Sequence, residues 1–394
     1  MNSFWLYIFC LEILCFSGGL RFIAIPQVTL VVWGITSGVL FYKGIIINKR
    51  WFSESIIIWL LMIWVLLSTL VVNEKNDNTF LKYIIFPMGM ALAHSCLDFY
   101  KFRNALLKTA NILLLISIIV HVGYNLDIIP SQEIIINDKP RIMSLYLFNV
   151  KWDIGSSVMF PITRFSSIYW EPGQCQIVIM YIIVLFSDVI KNKFHDFRFL
   201  LKHFGVLFLS IILTGSTTGY IVMALYIIAI SFINNNKKTI VRQNVLYFIF
   251  AICSVYAFWT TDVVQGKLEQ SDTKIEATSL SIRMADNVAC FNVTIQNPIF
   301  GLGVNSKELN RRLLQEGDTT SSNGWLFSSA QLGFVYLILL FTSMYIQIRK
   351  MQLCIPPFML LIILIISQAN EAATYFPYMW LYGCPYGSYC KTKL

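Results

Sequence analysis

The chain has 394 residues, of which 57% are hydrophobic and 13% charged, and its formal net charge is +9. A soluble domain carries about 25% charged residues, so this composition argues against an ordinary cytosolic fold. Nucleic-acid binding is equally disfavoured, because the basic surplus is scattered in small clusters along the sequence and no stretch forms a polybasic patch.

An apolar run of about 18 residues matches the length a helix needs to cross hydrocarbon. Twelve runs of roughly that kind are predicted as spans, near 4–20, 22–42, 53–72, 80–97, 104–124, 173–190, 200–214, 217–233, 244–261, 325–346, 354–370 and 375–389. The expected fold is an all-α polytopic membrane protein with about 12 transmembrane helices (a range of about 10 to 12), forming a single membrane domain over 1–394. The first run holds Glu12, has no basic region before it and no small-residue site after it, and is expected to be retained rather than cleaved.

Orientation follows from the placement of Lys and Arg, which collect in short cytoplasmic loops. One side receives Lys43, Lys49 and Arg50, then Lys101, Arg103 and Lys108, then Lys191, Lys193, Arg198 and Lys202. Lys237, Lys238, Arg242, Arg349, Lys350, Lys391 and Lys393 complete the set, seventeen of the 30 basic residues. That side is assigned as cytoplasmic, with both termini on it.

Two connections, about 125–172 and 262–324, fall on the opposite side and far exceed the usual length of about 4–6 residues. The first contains Met143-Ser-Leu-Tyr-Leu-Phe-Asn-Val150 and Phe165-Ser-Ser-Ile-Tyr-Trp170, rich in aromatic residues that can pack. In the second, Ile282, Ala285, Ala289 and Ile295 recur at helical spacing and predict a helix lying on the membrane or on the bundle. Asn297-Pro298 should end it, and Gly301-Leu-Gly303 should make a tight turn. The nine cysteines include no CxxC pair, so neither a zinc site nor a disulfide framework is expected.

By this topology the spans that start after Pro172, Gly215 and Asn323 open toward the side of the two long loops. A helix N-terminus presents unpaired N–H groups and partial positive charge, which suits an anion. Pro172 can take the first helical position after Glu171, Ser216-Thr217-Thr218 follows Gly215, and Ser321-Ser322-Asn323 precedes Trp325. These residues either greet a diphosphate or simply cap their helices. Arg164 and Glu171, seven apart, share a face if the segment is helical and lie on opposite faces if it is extended. Arg283, Arg311 and Arg312 offer guanidinium forks matched to phosphate oxygens, or else pair with Glu308, Asp286 or lipid head groups. Glu12 reads as a hydrogen-bonded structural group within the first span, His121 as a helix-end residue, and Glu371 as a weaker candidate for catalysis.

Four motifs, in this order, resemble the O-antigen polymerases and, more distantly, the O-antigen ligases. They are Arg164-Phe-Ser-Ser-Ile-Tyr-Trp-Glu-Pro-Gly173, Leu213-Thr-Gly-Ser-Thr-Thr-Gly219, Asn297-Pro-Ile-Phe-Gly-Leu-Gly303 and Ser321-Ser-Asn-Gly-Trp325. The resemblance covers the whole topology and implies a GT-C-like membrane glycosyltransferase of the bacterial inner membrane. It implies undecaprenyl-diphosphate-linked glycans as substrates, membrane lipids and a chain-length regulator as partners, and no cofactor or metal. The positions matching the family's loop arginines are Arg164 and Arg283, which would engage the diphosphate. Glu171 would act as general base, and Ser216, Thr217, Arg311, Arg312, Ser322 and Asn323 would help bind substrate. The ligases carry a His-Asn pair where this chain has Ser322-Asn323, which favours polymerase over ligase. A lipid-linked oligosaccharide flippase or transporter would be expected to line its path with charges inside the spans, where only Glu12 qualifies.

Overall fold

A computed structural model describes residues 3–44, 55–72, 78–136, 139–151, 163–232, 279–315, 323–368 and 375–389. The helices are α1 (Ser3–Phe16), α2 (Leu20–Ala24), α3 (Pro26–Gly44), α4 (Ile56–Val72), α5 (Lys82–His94), α6 (Phe99–Asn125), α7 (Pro172–Val184) and α8 (Ser187–Asn192). They continue with α9 (Phe197–Thr214), α10 (Thr217–Phe232), α11 (Ser279–Gln296), α12 (Lys307–Gln315), α13 (Gly324–Met351) and α14 (Pro357–Ser367). Among the described residues α6, α9 and α13 are long and apolar enough to cross a membrane, and shorter apolar helices lie in α1, α3, α4, α7, α10 and α14. The protein is therefore membrane-integral and mostly helical. Helices stand at the sites of the first eight predicted spans and of the tenth and eleventh, whereas the ninth, 244–261, lies outside the described residues.

Two expectations are corrected. The fold is not purely helical, because β1 (Ser131–Ile136), β2 (Lys139–Ser144) and β3 (Phe148–Lys151) form an antiparallel sheet in that order within the first long connection. The twelfth predicted span is not a helix either. Its described part is a short 3-10 turn, Pro377–Leu381, followed by irregular chain. Pro377, Gly383, Pro385 and Gly387 break the helical pattern despite the apolar composition.

The chain packs as two compact units. The first comprises Met1–Ala110, Ile282–Met351 and Gln368–Leu394. In it Trp33 of α3 stacks on Phe9 of α1 at 5.0 Å and meets Phe86 of α5 edge-on at 5.6 Å. Glu12, buried, accepts a hydrogen bond from the Thr36 hydroxyl at 2.6 Å, which is the structural role read from its isolation in the sequence.

The irregular C-terminal segment of this unit runs beside α5. Tyr375 packs against Tyr83 at one end, and Tyr386 stacks on His94 at the other, 4.1 Å away. Backbone groups without helical partners must find others when buried in protein. Tyr378 N donates to the Ser17 hydroxyl, Gly383 O accepts from Ser343, Gly387 N donates to His94 O, and Ser388 O accepts from Phe99 N.

Also in the first unit, the Asn297–Gly303 motif docks on a break in α13 at Gly333, where φ is 78° and ψ is 172°. Phe334 N donates to Pro298 O, Leu302 N to Ala330 O and Gly303 N to Gln331 O, at 2.8, 2.9 and 2.9 Å. A Cβ at 333 would collide with Ile299 O, and one at 301 with the backbone at Gln331. Glycine is thus required on both sides of the contact, by close approach and by positive φ together. Trp64 of α4 stacks on Phe300 at 4.8 Å and donates to Leu332 O, and Ser68 donates to Phe300 O.

The second unit comprises Asn111–Ser281 and Gln352–Ser367. Its centre is α7, whose residues from Gln174 to Val184 are all buried, packed by α9, α10 and α14. A helix buried on every face belongs at the middle of a bundle.

Candidate functional site

Within the second unit the conformation of residues 163–171 is set from three sides. From α6, His121 Nε2 lies 2.9 Å from Thr163 O, Asn125 Oδ1 accepts from Thr163 N at 3.1 Å, and the Ser117 and Ser167 hydroxyls are 2.8 Å apart. From β3, Asn149 N donates to Ser167 O, and Asn149 Nδ2 donates to Tyr169 O and Trp170 O at 3.1 Å each. From the end of α9, Leu213 O accepts from Phe165 N at 3.0 Å. Ser167 sits at φ 56°, a left-handed conformation that this network holds in place.

The segment is therefore neither helix nor strand between Arg164 and Glu171, and the seven-residue spacing places them by a clamped turn. Arg164 is half-buried and donates from Nε to Thr214 O at 3.0 Å. Its side chain lies along Gly215, which ends α9 at φ 58°, a backbone conformation that favours glycine; a Cβ there would make ordinary contact with Nε at 3.4 Å. Tyr220, whose hydroxyl donates to Ile212 O at 2.7 Å, is within electrostatic reach of the guanidinium.

The next residues open α10. Ser216 caps it, accepting from Gly219 N at 3.3 Å, and Thr217, half-buried, is its first residue. Glu171 precedes Pro172 at the start of α7 in extended conformation, and its Oε1 accepts from Trp170 Nε1 at 3.0 Å. Gln176, buried on α7, fills the space over Gly219 on α10, where a Cβ would collide with it. Gln174 is buried one turn from Glu171. The RFSSIYWEPG and LTGSTTG motifs, distant in sequence, thus meet at two places: Arg164 lies on the α9–α10 elbow, and Gln176 of α7 packs on Gly219 of α10.

The remaining candidates lie in the first unit or outside the described residues. Asn323 caps α13 through Oδ1, accepting from Trp325 N at 3.0 Å and Leu326 N at 3.2 Å. Ser322 and Glu371 lie outside the described residues. Arg283 is in α11; of that helix Asp286, Ala289, Cys290, Val293 and Thr294 are buried, and Ala289, Cys290 and Val293 pack with Leu302, Leu309, Leu313 and Ala330. Of the spacing expected from sequence, Ala289 faces this core, whereas Ala285 and Ile295 are exposed.

Arg311 and Arg312 of α12 grip Glu308. Arg311 donates from Nε and Nη2 at 2.7 Å each, and Arg312 from Nε at 2.8 Å, while Arg312 Nη1 also reaches Gln296 at 2.6 Å. Arg311 and then Arg312 hold the Glu308 carboxyl down at about 2, below the ordinary carboxylate range. Arg311 is raised in turn by Glu308. The pairing with Glu308 weighed for these arginines is what the structure contains.

Residues 204–341 match the Wzy_C family model, described as O-antigen ligase. The matched stretch begins in α9 and ends in α13, so it takes in the Gly215 elbow, Ser216, Arg283, the Asn297–Gly303 motif and Asn323. It supports membership of the O-antigen ligase and polymerase group in general, as the motifs imply, and members of that group are membrane glycosyltransferase-like enzymes of lipopolysaccharide synthesis. Comparison with curated proteins finds no match.

Sequence reasoning missed the residues that clamp the segment carrying Arg164: Ser117, His121, Asn125 and Asn149. One signal was present, since His121 and Asn125 are polar residues four apart near the end of an otherwise apolar helix, and therefore on one face.

Proposed function

We propose that the chain is an O-antigen polymerase, joining undecaprenyl-diphosphate-linked repeat units at the periplasmic face of the inner membrane. The acceptor's sugar hydroxyl attacks the anomeric carbon of the donor glycan, and the bond from that carbon to the phosphate oxygen breaks. The configuration inverts, undecaprenyl diphosphate departs, and the hydroxyl proton passes to Glu171. The leaving group gathers negative charge, so preorganised donors aimed at it supply much of the rate.

The observation that carries this reading is the Arg164–Thr214 hydrogen bond beside the capped start of α10, which fixes one guanidinium next to helix N–H groups. Ser216 and Thr217 would contribute from that start. Arg283 keeps the role that the resemblance implies, toward the diphosphate, and Arg311, Arg312, Ser322 and Asn323 keep theirs in substrate binding. The proposed topology places both termini in the cytoplasm, residues about 125–172 and 262–324 in the periplasm, and a chain-length regulator among the partners.

The ligase reading is favoured by one observation, the description of the matched family. Ser322-Asn323 in place of His-Asn favours polymerase. A lipopolysaccharide gel separates the two. Deleting a polymerase leaves single repeat units on the core and complementation restores the ladder, whereas deleting a ligase leaves the core bare.

A further inference from the structure

The outward face of α6 in the second unit is an apolar stripe: Ile112, Leu115, Ile116, Ile119 and Val122, all exposed and recurring at the i, i+3, i+4, i+7 spacing of one helix face. On a membrane-crossing helix such a face meets acyl chains. The stripe does not stop with the helix. Leu126 and Ile128, just beyond its end, are 62% and 71% exposed.

Strand register brings two more apolar residues to the same place. Ser131, three residues after Ile128, pairs with Ser144, so the turn that follows Ser144 lies at the α6 end of the sheet. Leu147 N closes this turn on Ser144 O, and its central residues Leu145 and Tyr146 have φ of 49° and 58°. Positive φ at both positions is the geometry that selects Asn-Gly, and here a leucine and a tyrosine adopt it. They are 59% and 66% exposed, so burial in the fold does not account for them.

We infer that the β2–β3 turn rests in the lipid head-group layer at the membrane surface where α6 emerges, with Leu145 and Tyr146 as its anchor. Continuity with the lipid-facing stripe of α6 identifies the occupant, and a Leu–Tyr pair has the chemistry of that layer, an apolar body with a hydroxyl tip. The anchor fixes the height of β3, and through Asn149 the height of the 163–171 segment, relative to the membrane surface. This inference stands independently of the proposed reaction.

The test is photo-crosslinking from benzoylphenylalanine in the full chain, reconstituted in phosphatidylethanolamine and phosphatidylglycerol vesicles and read by intact mass. Three single positions are compared: Tyr146 in the turn, Ile119 on the α6 stripe, and Ile135, four residues and about 13 Å along β1 from Ser131. Tyr146 is expected to give lipid adducts at a yield close to that of Ile119 and several-fold above Ile135. The inference is overturned if Ile119 is labelled and Tyr146 is not, if Tyr146 crosslinks only to protein, or if Ile135 matches it.

Discussion

Arg164 donates from Nε to the backbone carbonyl of Thr214 at 3.0 Å, so the charge of one motif is fixed by the backbone of another fifty residues away. The contact uses the Nε–H, a donor that lysine does not possess. Arg164→Lys should therefore keep the charge and lose its position. We expect normal amounts of protein in the membrane with polymer formation reduced by roughly ten- to a hundredfold, since a charged hydrogen bond contributes about 1.5–3 kcal/mol. Chain-length distribution on a gel beside an immunoblot checks this. A full ladder would remove Arg164 from the reaction.

Gly215 tests the same relationship from its partner. Alanine there must adopt φ near 58° and place its Cβ 3.4 Å from Arg164 Nε. Gly215→Ala should cost about 1 kcal/mol or somewhat more in stability, and should depress activity by a larger factor than a comparable loss elsewhere. Unfolding temperature in detergent and glycan output, measured on the same preparations, separate the two effects.

Asn149→Ala removes the donor shared by Tyr169 O and Trp170 O and leaves the turn before Glu171 without that support. A loss of about 2 kcal/mol is expected, from unsatisfied buried groups. Glu171→Gln, by contrast, preserves shape and removes a base. It should leave thermal unfolding unchanged while lowering turnover, and equal turnover would assign the proton to solvent.

Glu308 gives the pH-dependent case. Its carboxyl is lowered by Arg311 and Arg312, so pairing is complete above the ordinary carboxylate value of about 4.3 and is lost only as pH falls toward about 2. Across the physiological range the cluster should show no titration. Because the ion pairs lie at the surface, with Arg311 largely exposed, Glu308→Gln should not measurably shift the unfolding temperature at neutral pH. A clear shift would show that the three side chains brace α12 rather than decorate it.

Much of this arrangement was legible in sequence where the signal is local. Ser216 and Asn323 cap helices as their residue types and positions indicate, and Asn297-Pro298 does end α11. Glu12 is isolated in an apolar run and finds a single hydroxyl partner. The sheet was harder to see, because β2 carries Pro140 and β1 ends in three consecutive isoleucines, which obscures a period-two pattern. The C-terminal segment misled through composition: average hydropathy registers Pro377 and Gly383 only weakly, yet such residues decide whether a buried segment can be helical. The clamp on Arg164 depends on contacts between residues 13 to 50 positions apart, and spacing alone could not report them.

The proposed reaction links repeat units on their diphosphate carrier. The most direct measurement supplies the purified protein, in phospholipid vesicles, with a homogeneous undecaprenyl-diphosphate-linked repeat unit and nothing else to accept it. Carrier-linked dimers and longer oligomers should form with release of one undecaprenyl diphosphate per bond, and they should be lost in Arg164→Lys. Unchanged repeat units, together with transfer to lipid A-core once that acceptor is added, would contradict the proposed reaction.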